Sequence, residues 1–361
     1  MQIPAFDPTE LRIVGESPGL MGAPPIPIYD YPVTPKEAYK GMLQRKPVWQ
    51  ITDNEVRLFT PKMIPDYLAR AEVYENRPFD ANTEGGGKDM FGIEWEYIAQ
   101  VGGSMVRPGK PFLEDAGDWQ KMVVWPDIDS WDWEGAARVN NDTYLVSDRY
   151  ITAWFLNGWF ERLISFMDFE GAIMALVDED QKDAVKALFD KLTDLYIRIF
   201  DKFITYFPAI DGFTVHDDWG SQKETFFSPA VVEEMIVPYM RRVTDFMHSK
   251  GKFCELHSCG QIFKQVPNMI AAGWDFWTPQ AMNDTQKIYE LYGDKIIIGV
   301  IPDVFDPEKA TEDEQRAAAK AFADKFCSPA KPSYLSFHAR TMLTPAFREE
   351  LYKQYRINYG K

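Results

Sequence analysis

No apolar run in this 361-residue sequence reaches the roughly 18 residues that a membrane-spanning helix needs. Cysteine is scarce. Cys254, Cys259 and Cys327 form an odd, sparse set that argues against a disulfide framework, suits a reducing compartment and leaves the thiols free to act as thiolates. Positive charge is also in short supply, with 39 Lys and Arg against 55 Asp and Glu and a formal net charge of -16. Such a surface repels nucleic acid and anionic membranes, so neither is expected as a partner, whereas a homodimer is compatible with it. The first residues, MQIPAFDPTELRIVGESPG, lack both a basic n-region and an apolar h-region, so a cytoplasmic location is expected. There is no repeat, no low-complexity tract and no glycine-rich phosphate loop after the first apolar run.

What the sequence does have is enough apolar residue, 45%, to bury a large core. Residues 1–35 are proline-rich and read as an extended N-terminal arm. A helix is expected to start at Thr34, with Pro35 at its first position. From there to residue 361 short apolar runs alternate with long amphipathic stretches. The runs 48–51, 144–147, 212–216, 253–257, 275–278, 296–300 and 334–338 are predicted strands, and 181–206 and 229–249 are predicted helices, the latter closed by Gly251. This alternation predicts an α/β fold. Residues 36–361 are expected to form a single TIM-type (β/α)8 barrel, with an eighth strand to be found and insertions from 76–140 over its mouth.

In such barrels chemistry sits at the C-terminal ends of the strands. Three of the four histidines end predicted strands there: His216, His257 and His338. The fourth, His248, lies in an amphipathic helix and reads as a surface residue. In His257-Ser258-Cys259 the alternation of a strand points imidazole and thiolate the same way, and the softness of the pair selects zinc. The plain alternative is a buried thiol beside a satisfied histidine. A third ligand is expected from His338, with Cys327 and His216 as alternatives, and Glu255 lies deeper on the same strand face. His216, Asp217 and Asp218 are the expected catalytic group, the carboxylates serving as proton donor, base or histidine-orienting partner, or else as a helix cap. Trp154, Trp159, Trp219, Trp274 and Trp277 fall near predicted strand ends and suit a flat apolar substrate, or ordinary core.

Taken in order, KDMFGIEW (88–95), NGWFERLISFMDFEGAIMALVDE (157–179), HDDWGSQ (216–222), LHSCG (256–260) and YLSFHAR (334–340) resemble the uroporphyrinogen decarboxylase superfamily. The resemblance covers nearly the whole chain from about residue 36. Within that superfamily the HxC is similar to the zinc motif of corrinoid methyltransferases, including those that demethylate methoxylated aromatics. Their distal cysteine falls where this chain reads SFHAR, so that His338 stands in its place. The resemblance implies a zinc-dependent methyltransferase that passes a methyl group from a methoxylated aromatic compound to the cob(I)alamin-type corrinoid of a partner protein. Trp219, Gln222, Asp89 and Trp159 are then expected to face the substrate. Two alternatives stay open: methyl transfer from methylcobalamin to a thiol, and a decarboxylase. True decarboxylases of the superfamily carry an arginine-bearing RQAGR stretch after the first strand to neutralise a polycarboxylate, and this chain reads QITDNEVR there (50–57).

Overall fold

The computed structural model describes residues 4–18, 25–52, 54–100, 102–107 and 109–360. Its strands are β1 (Ile13–Ser17), β2 (Ile26–Tyr29), β3 (Val56–Phe59), β4 (Gly87–Lys88), β5 (Glu94–Ile98), β6 (Gly103–Val106), β7 (Tyr150–Phe155), β8 (Gly212–His216), β9 (Phe253–His257), β10 (Phe276–Trp277), β11 (Ile297–Val300) and β12 (Ser333–Leu335). Seven of them, β3 and β7 to β12, belong to one sheet, and helices alternate with them, so the fold is α/β as expected. The eighth strand of a closed barrel is not found among the described residues. No helix of the described residues is long and apolar enough to cross a membrane.

Local chemistry explains which expectations about elements hold. The helix Pro35–Leu43 starts where Thr34 and Pro35 placed it, and Thr34 closes a capping box with Glu37 that was not part of that expectation. The apolar periodicity of 181–206 matches the helix Lys182–Tyr206, and Gly251 adopts φ 69° just beyond the helix Val237–Ser249. The stretch 229–249 is broken at Ile236 into Pro229–Met235 and Val237–Ser249, because Pro238 has no N–H to continue the ladder. The first strand is displaced to β3, and Ile51 keeps only an isolated parallel bridge to Tyr334. The expected strand at 144–147 is a turn instead. The N–H groups of Leu145 and Val146 are spent on the carbonyls of Asn140 and Thr143, and the strand starts at Tyr150.

The chain divides into two compact units. The first joins residues 1–57, 148–150 and 275–361, so the N-terminal arm clusters with the C-terminal third of the chain. It holds the antiparallel hairpin β1–β2 and the parallel strands β10, β11 and β12. Its arm is not loose: Glu10, in the short helix Pro8–Leu11, receives a bidentate bond from Arg356 of the helix Pro345–Tyr359, at 2.8 Å on each oxygen, and a third bond of 2.6 Å from Tyr352. Burial by itself would raise the Glu10 carboxyl, but those donors outweigh it and hold it below its ordinary value. Stability from this group is therefore complete above about pH 5 and is lost as pH falls through the depressed folded value. Glu10→Gln is expected to cost about 3 kcal/mol at pH 7, because Arg356 is fully buried and loses its countercharge. The gap between variant and wild type should narrow in urea titrations below pH 4; a gap that stays constant with pH would contradict this account.

The second unit, residues 58–147 and 151–274, holds the parallel strands β7, β8 and β9 and a small antiparallel sheet, β4–β5–β6, from the insertion region. Its helices Trp159–Val177 and Lys182–Tyr206 bury long apolar faces, including Leu163, Phe166, Leu188, Leu192 and Ile199.

Candidate functional site

The site grows from the register of three strands in the second unit. Thr152, Thr214 and Glu255 point to one face and hydrogen bond across it, Thr152 to Thr214 at 3.0 Å and the Thr214 hydroxyl to Glu255 at 2.9 Å. Two residues further along, on the same face, stand Trp154, His216 and His257. His216 and His257 are register partners, and their rings stack with centroids 4.5 Å apart and planes 20° apart. Trp154 lies 5.2 Å from His257 and 6.2 Å from His216, ring centre to ring centre. A polar layer thus underlies an aromatic one at the strands' C-terminal ends. Glu255 lies one layer deeper, where its place on the strand put it.

The loops that leave β8 and β9 add the remaining groups. Asp218 accepts from the Cys259 backbone N–H at 2.7 Å, which ties one loop to the other. Gly260, at φ 96°, makes this approach possible, since a Cβ there would stand 2.3 Å from the Gly220 backbone. The ligand atoms of His216, Asp218 and His257 all lie within 4.8 Å of one another. The Cys259 sulfur is 3.5 Å from His257 Nε2. Burial, then the nearby Asp218 charge, pushes the Cys259 thiol far above its usual value, so without a cation beside it the sulfur stays protonated.

Two further residues complete the setting and were not singled out in the sequence. Glu161, in the first turn of the helix Trp159–Val177, reaches His216 Nδ1 at 2.7 Å. Its other oxygen accepts from Arg70 at 3.3 Å, and Arg70 also donates to Asn157 at 2.6 Å. Burial pushes Glu161 up, but His216 and Arg70 outweigh it and bring it down to about 2. Burial lowers the His216 imidazole, while Glu161 and Asp218 more than reverse this and raise it. Reading NGWFERL as a helix onset beside a strand end would have placed Glu161 here; nothing in the sequence points to Arg70.

The other expected site residues have different surroundings. Asp217 is fully buried and faces away from His216, as strand alternation requires. It accepts from the backbone N–H groups of Phe160 and Glu161, at 3.3 and 2.9 Å, and from the Trp219 indole at 3.0 Å. It therefore caps the helix Trp159–Val177, not the one that follows it in sequence. Burial, with Glu161 nearby, raises its carboxyl to about 7. Trp159 and Trp219 are fully buried, their indole N–H groups spent on Thr193 and Asp217, so both pack the core and neither faces an open site. Asp89 is held by Arg162, the Trp95 indole and the backbone of Phe91 and Ile93. With every lone pair engaged, it anchors the insertion and has none to offer a substrate. Gln222 is exposed. Trp274 and Trp277 are buried, which leaves Trp154 as the half-exposed tryptophan of the expected five.

His338 belongs to the first unit. It does not end a strand: β12 stops at Leu335, and the Ser336 side chain accepts from His338 N–H to start the turn Phe337–Met342. Burial and Arg340 lower its imidazole. Cys327 follows the helix Glu312–Phe326, as expected, also in the first unit. His248 is exposed, with its ring nitrogen 3.5 Å from the Cys254 sulfur.

Against known proteins, residues 159–327 match the family described as uroporphyrinogen decarboxylase (URO-D). That span runs from the helix that carries Glu161, through β8 and β9, to Cys327. A solved structure, a methyltransferase from Methanosarcina mazei, is similar in fold with a TM-score of 0.56 at 14% identity, over 90% of this chain and 98% of that one. No curated protein matches the sequence.

Proposed function

We propose that this chain is a zinc-dependent methyltransferase of the uroporphyrinogen decarboxylase superfamily, acting in the cytoplasm. In this reading it moves a methyl group from a methoxylated aromatic compound to a cob(I)alamin-type corrinoid carried by a partner protein. One observation carries the reading: the ligand atoms of His216, Asp218 and His257 lie within 4.8 Å of one another where two adjacent parallel strands end, with the Cys259 sulfur 3.5 Å from His257. The superfamily match and the fold shared with a methyltransferase support it.

The donor set suits zinc, whose protein ligands are imidazole nitrogen, thiolate sulfur and carboxylate oxygen, commonly three with one position open. Cys259 would bind as a thiolate, its proton released as the metal enters. We assign His257 and Cys259 as ligands, with His216 or Asp218 completing the set in place of His338. Zinc would supply Lewis acidity at the ether oxygen, where negative charge develops as the methyl carbon is attacked. Trp154 offers an apolar wall beside both histidines for the aromatic ring. Asp218, a third exposed, is placed to give a proton to the departing oxygen or to accept one. Phenolate leaves more readily than an alkoxide, its conjugate acid having a pKa of about 10 judged from tyrosine, which favours aryl methyl ethers. A decarboxylase acting on a polycarboxylate is disfavoured. The QITDNEVR stretch carries two acids, of which Glu55 is bonded to Trp49 and Thr52, against a single arginine, Arg57, where RQAGR has two.

Metal analysis of the purified protein is expected to give about one zinc per chain, and Cys259→Ala to remove most of it with little loss of folded structure. Incubation with a reduced corrinoid protein and a methoxylated phenol should yield free phenol and methyl-Co(III). Zinc-replete protein that leaves every aryl methyl ether intact, but methylates a thiol from methylcobalamin, would move the assignment to thiol methylation.

A further inference from the structure

His216 has two ring nitrogens, and only one of them can face Asp218 and His257. In a neutral imidazole one nitrogen carries the proton and the other a lone pair, and the partner of the first decides which is which. His216 Nδ1 is 2.7 Å from Glu161 Oε2, and a carboxylate can only accept, so Nδ1 is the donor. In the neutral ring Nε2 then carries the lone pair on the side of Asp218, 4.0 Å away, within the cluster that includes His257.

Glu161 is itself held in place. Its second oxygen meets Arg70, Arg70 is fixed by the Asn157 side chain, and Asn157 donates to Asp66 at 2.8 Å. Its backbone is fixed too, since the Glu161 N–H bonds Asp217 on the loop that begins one residue after His216. The same helix turn is thus tied to the β8 end twice, once through the main chain and once through the side chain. Glu161 is 11% exposed and Arg70 15%, too enclosed for solvent to do the same work.

We propose that Glu161, steadied by Arg70, is the positioning residue for His216, setting its ring orientation and its Nδ1-protonated tautomer so that Nε2 is directed at the metal position. The inference rests on the zinc reading above for its purpose, while the orientation itself is independent of it. A residue of this kind touches no substrate. It acts by removing the entropy and tautomer cost of presenting a ligand, and loss of such an outer partner typically weakens metal binding about 10- to 100-fold.

Nitrogen-15 NMR of the imidazoles in the metal-free protein at pH 8.5 tests this without a variant, since four histidines give few signals to assign. Once titrated to its neutral form, His216 is expected to show a protonated Nδ1 and an unprotonated Nε2; a neutral ring with its proton on Nε2 overturns the proposal. Glu161→Gln should weaken zinc affinity, measured by competition with a chromogenic chelator, about 10- to 100-fold, and Arg70→Gln should weaken it less in the same direction. A merely structural Glu161 would lower the thermal midpoint of the metal-free variant but leave the affinity within twofold of wild type, and that result also overturns it. Should wild type bind no zinc, the metal reading fails on its own, and the tautomer measurement still decides whether Glu161 sets His216.

Discussion

Arg162→Met is expected to lose about 3–5 kcal/mol of stability or to fail to accumulate as folded protein, the range for stripping one partner from a buried ion pair. Arg162 is wholly buried. Its guanidinium donates to Asp66 and, at 2.6 Å, to Asp89, and lies 4.8 Å from the centre of the Phe91 ring. Both carboxylates are almost fully enclosed, and burial, ahead of the attraction of Arg162, already raises Asp89. Removing the only cation among these three would leave two carboxylates facing one another in a dry interior, where at least one must take up a proton. Arg162→Lys should fall between wild type and Met, because a single ammonium cannot reproduce the fork that serves two acids. Urea denaturation decides the matter: a Met variant within about 1 kcal/mol of wild type would show that the triad contributes little beyond its packing.

On the function proposed above, Asp218→Asn is expected to slow methyl transfer about 10²- to 10⁴-fold, the span typical of a single general acid or base, with a much smaller change in KM. The substitution keeps the shape, and an amide oxygen can still accept from the Cys259 N–H at 2.7 Å, so the two loops should stay joined. What it removes is the ability to move a proton, together with a negative charge beside His216 and Cys259. Assays should be run with zinc content matched to wild type, since a carboxylate is also a metal donor. An effect confined to KM would make Asp218 a substrate-positioning group. An unchanged rate would remove it from the chemistry altogether.

The legible part of this protein was the part whose cause is local. In β8 and β9, short apolar runs end in a histidine, and period-two alternation was enough to put Glu255 beneath His257; Cys259, expected on the same strand face, lies on the loop beyond β9 and meets His257 there at 3.5 Å. The helix start at Thr34 was legible because its cause is local too, Thr34 and Pro35 standing next to each other in the chain. His338 misled because YLSFH alternates like a strand, while Ser336 bonding two residues ahead converts its end to a turn. The tryptophans misled because indole suits a core as well as a pocket, and a partner such as Thr193 lies 34 residues from Trp159. Arg70 could not be found at all. Its value depends on Asn157 and Glu161, 87 and 91 residues away, and no spacing rule spans such distances.

The first turn of the helix Trp159–Val177 places Glu161 and Arg162 side by side in the chain, one directed to His216 and the other to Asp66 and Asp89. Consecutive helical residues point about 100° apart, so one rigid turn serves two networks, which meet again at Asp66 through Asn157 and Arg70. Mutational drift cannot treat them separately. A substitution that relaxes the Arg162 triad also loosens the platform from which Glu161 reaches, and a change at His216 deprives Glu161 of the partner that offsets its own burial. Substitutions at these positions will therefore combine non-additively, and lineages that alter one should alter the others in concert.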